Sequence, residues 1–270
     1  MRYLPHNIPY PDNEKPRLLS LENLFREWYQ HFANNAAQLE KHKAEDMVFD
    51  GFYPYYFSQK KRVLFIGREP RWIPGHNDIE DHYKSYREDK RIGTQSLNAD
   101  KFHSRMLYFA YGIVHEMPEW QKIPYATEIG DTFATEAGLS FAFMNISKLS
   151  NNTGSWQTDS AVFNTAHRLS TEGRNFIQEE IAILAPHIVI TMNLGKKISS
   201  LGQTSEIHAS DDVESYWLDS DGHCSVLINT WHFSAWNKND TKCFYEPIRD
   251  AMRRSETAKS VAQAVSTSRS

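Results

Sequence analysis

Cysteine is nearly absent: the 270 residues hold two, Cys224 and Cys243. Two thiols cannot build a disulfide framework, nor a four-thiolate zinc or iron–sulfur site within one chain. No apolar run reaches the roughly eighteen residues of a transmembrane helix. Residues 1–7 lack the apolar stretch of a secretory signal, so a cytoplasmic protein is expected. The net charge is only −4, which argues against a non-specific nucleic-acid coat protein while leaving room for a local basic groove. Also missing are a glycine-rich dinucleotide fingerprint, a phosphate loop and a Gly-x-Ser-x-Gly elbow, which weighs against a small-molecule hydrolase or transferase. No metal or other cofactor is expected, and the chain is expected to be a monomer.

What is present is an ordinary globular composition, 40% hydrophobic and 24% charged, rich in aromatics with 7 Trp, 13 Tyr and 15 Phe. Most of those rings belong in a core, and some are available to stack on bases. Residues 1–19 carry Pro5, Pro9, Pro11 and Pro16 and read as an extended arm. Ser20 reads as the N-cap of an amphipathic helix over 21–44, with Leu21, Leu24, Phe25, Trp28, Phe32 and Leu39 on one face. Residues 63–66 form a short apolar run bounded by charge and by Gly67, which predicts a strand buried on both faces. The polar stretch 73–100 reads as a long loop with one short helix.

Helices are predicted over 101–117, 127–137, 172–185 and 245–254, and another opening at Gly195. Core strands are predicted over 139–144, 187–192 and 225–229, with an edge strand at 216–218 and a disordered Ser-, Ala- and Thr-rich tail over 255–270. Residues 20–254 thus read as one domain. Strands alternating with helices predict an α/β fold, a three-layer sandwich around a mostly parallel four-stranded sheet. Sites in such sheets lie outside the carboxyl ends of the strands.

Three strand ends carry chemistry-bearing residues. The first is Gly67-Arg68-Glu69-Pro70-Arg71-Trp72, where glycine permits a sharp turn and proline stiffens it, holding Glu69 at the sheet mouth. The second is Asn145, whose amide offers one acceptor and two donors to a planar ligand edge. The third is His232-Phe233-Ser234-Ala235-Trp236-Asn237-Lys238. Taken singly, each has an ordinary explanation: a surface ion pair, a turn former, a packed histidine.

In this order, the set resembles the uracil-DNA glycosylase superfamily. That family has glycine, two variable positions and proline after a core strand, then an Asn ending an apolar strand, then a late histidine–proline–serine. The resemblance covers roughly residues 60–250. It implies an enzyme that flips a base out of DNA and hydrolyses its glycosidic bond, leaving an abasic site. It implies Glu69 as the residue that orients water and faces the sugar cation, and His232 as the donor to the leaving base. Asn145 becomes the reader of the base edge, with Gly67, Arg68, Arg71 and Trp72 around the base. Ser234, Trp236, Asn237 and Lys238 are then expected to contact DNA, Trp236 as a wedge where the base leaves the stack. Lys196, Lys197 and Lys242 are further candidates for phosphate contacts.

The chain also departs from the family. Arg71 stands where uracil-specific members have an aromatic wall at carbon 5, and Phe233 replaces the proline of the last motif. No clear counterpart of the base-stacking phenylalanine occurs in 73–100, where Tyr83 and Tyr86 are the candidates. An opened pocket beside an arginine suits a pyrimidine with a bulky polar substituent, such as a hydroxymethylated or glucosylated cytosine of viral DNA, in a defence role. The alternatives are a uracil-directed repair enzyme and a non-catalytic nucleic-acid-binding module.

Overall fold

The apolar runs become the middle of a seven-stranded sheet in the computed structural model, which describes residues 3–39, 41–153 and 157–267. The strands are β1 (Gly51–Phe52), β2 (Val63–Gly67), β3 (Arg91–Ile92), β4 (Gln95–Ser96), β5 (Ala142–Asn145), β6 (Ile188–Met192), β7 (Gln203–Ala209), β8 (Val213–Ser220) and β9 (His223–Thr230). β3 and β4 make a separate small hairpin, and the main sheet runs β1-β5-β2-β6-β9-β8-β7. The four central strands β5, β2, β6 and β9 are parallel, and β2 and β6 are buried along their whole length. The expected four-stranded sheet is therefore too small. Antiparallel β1 flanks one side and antiparallel β8 and β7 the other. β1 is two residues long and β7 is mostly exposed and polar, so neither has an apolar signature. The predicted edge strand at 216–218 is part of β8, which lies inside the sheet.

The helices are α1 (Lys15–Asn34), α2 (Asp78–Lys84), α3 (Lys101–Val114), α4 (Ala126–Thr132), α5 (Ser160–Thr171), α6 (Phe176–Leu184) and α7 (Glu246–Thr267). One core packs α3, α4 and α7 on Phe65, Phe143, Ile190 and Ile228. The other packs α1, α5 and α6 on Leu64, Ile66, Met144, Val189 and Leu227. Alternate strand residues thus face opposite helical layers, which is the period-2 rule of a sheet covered on both faces.

Several boundaries differ from expectation. α1 starts at Lys15, with Pro16 in its first turn where no amide donor is needed. Ser20 is therefore inside the helix, its Oγ donating to the Pro16 carbonyl at 3.0 Å. α5 was not expected, although Asp159 caps it and Val162, Phe163, Ala166 and Leu169 share its buried face. The loop expected over 73–100 holds α2, a π-helical turn (Ser85–Asp89) and the β3–β4 hairpin. The tail expected to be disordered is helical through Thr267; residues 268–270 lie outside the described residues. No glycine or proline follows Pro247 there, so nothing stops α7.

Candidate active site

Because β5, β2, β6 and β9 are parallel, their carboxyl ends, with Asn145, Gly67, Met192 and Thr230, lie side by side along one sheet edge. The segments after β2 and β5 are laced together. Ile146 donates to the Gly67 carbonyl at 3.1 Å, Ser147 to Arg68 at 2.9 Å, and Asn151 to Pro70 at 2.8 Å. The turn bearing Glu69 is thereby fixed against the turn that follows Asn145.

Glu69 is half-buried, and its Oε1 accepts from Asn151 Nδ2 at 3.0 Å. Burial raises its pKa above the ordinary carboxylate value; hydrogen bonds from Asn151 and Thr158 and the charges of Arg68 and Arg71 oppose that rise. The result is a carboxylate more basic than usual, with a fixed rotamer. Asn151 did not emerge from the sequence. It is buried, and its Oδ1 accepts from Thr153 N and Oγ1 at 3.0 and 2.8 Å, so it joins the Glu69 turn to the loop beyond.

Asn145 is buried opposite Gly67 in the parallel register. A Cβ on Gly67 would meet Asn145 Oδ1 at 2.5 Å and the Phe143 ring at 3.3 Å. The glycine is thus required by close approach of the Asn145 amide, a reason beyond the sharp turn expected from sequence. Behind it, the Asn145 N–H donates to Asp50 Oδ2 at 2.8 Å. Asp50 Oδ1 lies 2.6 Å from Lys148 Nζ, which also lies 2.8 Å from Glu180 Oε2, and all three side chains are fully buried. Burial, and the nearby Asp50 charge, push the Glu180 carboxyl well up against the opposing pull of Lys148.

His232 Nδ1 accepts the Ser234 N–H at 3.2 Å, and the His232 carbonyl accepts the Ala235 N–H at 2.8 Å. Burial first, then the charges of Arg68, Arg105 and Arg71, hold its pKa down to about 4. Near pH 7 it is a neutral imidazole whose Nδ1 is occupied as an acceptor, leaving Nε2–H as its donor. Phe233 is fully buried, with its ring 5.8 Å from Phe65 and 5.2 Å from Phe109. It anchors the strand end that carries His232.

Arg105 organises this loop and was missed, because its partners lie more than a hundred residues away. It is fully buried on α3. It donates to the carbonyls of Phe233, Ala235 and Lys238 at 2.5, 3.0 and 2.9 Å, and to Asp240 Oδ1 at 2.6 and 2.9 Å. The available signal was an arginine on an otherwise apolar helix face beside Phe102, Met106 and Phe109.

Aromatics wall the same region. The Phe102 ring lies 5.8 Å from His232 and 6.0 Å from Phe143. Tyr83 and Tyr86, the stacking candidates read from sequence, are core residues. Tyr86 packs on Phe133 at 5.2 Å, and its hydroxyl lies 2.6 Å from His103 Nδ1. Phe143 is likewise a core residue, whereas Phe102 is only partly buried and lies beside His232. Trp72 and Trp236 are largely exposed on the two flanking turns, at 58% and 87%, and Ser234 and Asn237 are exposed beside Trp236. Lys238 Nζ lies 3.6 Å from the Trp231 ring centre and 3.9 Å from Asp212, so its charge is partly engaged within the protein. A cleft of about 1010 Å³ lies elsewhere, lined by Trp120, Tyr125 and Leu139 at the amino end of β5.

No helix among the described residues is long and apolar enough to cross a membrane, and none of their His, Cys, Asp and Glu side chains cluster as a metal site would. In comparison with known proteins, the chain matches no family model and no curated protein.

Proposed function

We propose that the protein is a base-releasing hydrolase, an N-glycosylase acting on nucleic acid. More particularly, we read it as a DNA glycosylase directed at a pyrimidine with a bulky polar group on carbon 5. The observation that carries the reading is the pairing of a half-buried, more basic Glu69 with a neutral His232 on strand ends of one parallel sheet edge, with Asn145 on a third. Departure of a base places positive charge on the sugar and negative charge on the leaving ring. An anion for the first and a preorganised donor for the second are what lower that barrier. Glu69 orients a water, takes its proton as oxygen bonds to the sugar carbon, and faces the oxocarbenium ion. The glycosidic bond breaks, its electron pair stays on the base, and His232 Nε2–H stabilises the charge at the pyrimidine oxygen. Asn145 reads the base edge, with Phe102 as an aromatic wall.

The substrate reading rests on Arg71. It occupies the position of the family's carbon-5 wall and supplies guanidinium donors for a hydroxymethyl or sugar substituent. The test is mass spectrometry of bases released from oligonucleotides carrying uracil, cytosine, 5-hydroxymethylcytosine or its glucosylated form, with alkali cleavage locating the abasic site. Release of the substituted cytosine is expected. Faster release of plain uracil overturns the substrate reading, and release of no base from any of them overturns the enzyme.

A further inference from the structure

Two cations converge on one ring beside Glu69. The Arg68 guanidinium lies 5.3 Å from the centre of the Phe163 ring, and the Lys197 ammonium 5.7 Å from it. Three separate elements meet here: Arg68 follows β2, Lys197 lies on the short helix Gly195–Ser200 after β6, and Phe163 is a buried residue of α5. Neither cation has a carboxylate at ion-pair distance among the described residues. Asp159, the acid that caps α5, is engaged by Lys41 at 2.6 Å and by the Val162 N–H. Glu69 feels the Arg68 charge, but its carboxyl is held by hydrogen bonds from Asn151 and Thr158.

Lys197 is instead positioned by a neutral partner. Its Nζ donates to His167 Nδ1 at 3.3 Å, His167 Nε2–H donates to Ser200 Oγ at 2.9 Å, and Ser200 Oγ–H donates to the Lys197 carbonyl at 2.7 Å. Burial, with the Lys197 charge, holds His167 down to about 4, so it contributes no charge near neutrality. A carboxylate in this position would orient Lys197 and neutralise it. A neutral imidazole orients it and leaves the full charge for something outside the protein. Both cations are half-buried, so their charges are less screened by salt than exposed ones.

We propose that Arg68 and Lys197, seated on Phe163, bind a backbone phosphodiester next to the nucleotide whose base is released. The proposal rests on the glycosylase reading. Along the sheet edge β5 presents Asn145 for the base, β2 presents Glu69 for the sugar, and β2 and β6 present the two cations for the group that follows the sugar in the chain. The planar guanidinium fork fits two phosphate oxygens, and the ammonium adds a point charge.

The experiment measures affinity of the full-length protein for substrate oligonucleotides at several salt concentrations, with single uncharged methylphosphonates scanned around the target. The wild type, Lys197→Met and Lys197→Arg are compared. Lys197→Met is expected to weaken binding about tenfold and to reduce the salt slope by about 0.7 to 0.9, the loss of one phosphate contact. Lys197→Arg retains most of the affinity. One methylphosphonate beside the target weakens the wild type similarly and adds nothing to Lys197→Met. Wild-type insensitivity to every methylphosphonate overturns the site, as does equal sensitivity in Lys197→Met. A parallel NMR titration with inorganic phosphate follows the His167 ring without any DNA and needs no variant. A His167 response with a sensitive methylphosphonate, but no base released, leaves the phosphate site standing and removes the glycosylase reading. Base release from a protein indifferent to backbone charge does the reverse.

Discussion

At the scale of single residues, the proposed chemistry turns on the protonation states of Glu69 and His232. His232 is held down to about 4 by burial and three arginines. Activity is therefore expected to stay flat through pH 6.5, where an unperturbed histidine titrates. Its acid limb is expected to follow Glu69, whose pKa burial raises above the usual carboxylate value. A kcat/KM profile with a pKa near 6.5 that disappears in His232→Gln would show that the imidazole titrates normally. Replacing Glu69 by Gln, or His232 by Ala, is expected to cut base release by at least about 10²–10³ while leaving the thermal transition nearly unmoved. Near wild-type rates in either variant would remove the assignment. Their place just after core strands was legible in the sequence because both follow apolar runs. Asn151, which holds Glu69 at 3.0 Å, was not, since nothing local marks an Asn as a ligand of a residue 82 positions away.

At the scale of elements, the site depends on two laced turns and one pinned loop. In Gly67→Ala the new methyl would sit 2.5 Å from Asn145 Oδ1, so the amide must move. A loss of about 1–3 kcal/mol in stability is expected from overpacking, together with a larger proportional loss in activity. A variant that loses stability but keeps full activity would show that the Asn145 position is unimportant. Arg105→Lys keeps the charge but not the fork that reaches three carbonyls and Asp240. The loop bearing His232 is then expected to exchange its amides faster, and kcat to fall on the order of 10–100-fold through misplacement of the donor. Unchanged exchange at residues 232–240 would refute that role. The strands β2 and β6 were legible because burial on both faces makes them uniformly apolar. The polar edge β7 was not, because its stability comes from pairing with β8, which no local pattern encodes.

At the scale of the whole molecule, buried ionisable groups set how the fold responds to pH and to loss of a charge. His232 and His167 are each held down to about 4, so the unfolded chain binds more protons than the native one between about 4 and 6.5. Stability is expected to fall as pH drops through that window. His82 behaves oppositely: burial pushes it down, but Asp78 and then Asp81 outweigh this and raise it to about 9. Its contribution is complete below 6.5 and is lost as pH rises to about 9. Chemical denaturation across pH 4 to 9 checks both limbs, and His82→Gln should flatten the alkaline one. The Asp50–Lys148–Glu180 cluster ties α6 and the segment after β5 to the chain just before β1. Lys148→Met strands two carboxyls in the core and is expected to cost about 3–5 kcal/mol. Lys148→Met with Glu180→Leu should recover part of that loss, and strictly additive effects in a denaturant series would argue against coupling.

By itself the sequence determined the layered α/β architecture, the four parallel core strands and the positions of Glu69, Asn145 and His232. Hydrophobic periodicity and strand-end position are local properties of the chain. Only the tertiary structure decided the flanking antiparallel strands, the continuation of α7 where composition suggested disorder, and the placing of Phe102, not Tyr83 or Tyr86, beside His232. It also supplied the buried partners, Arg105, Asn151 and the Asp50–Lys148–Glu180 cluster, that hold the three strand-end residues. The physical reason is common to all of these. A buried charge or amide is tolerated only where its hydrogen-bond partners converge, and those partners come from segments distant in sequence that meet only when the sheet and its two helical layers close.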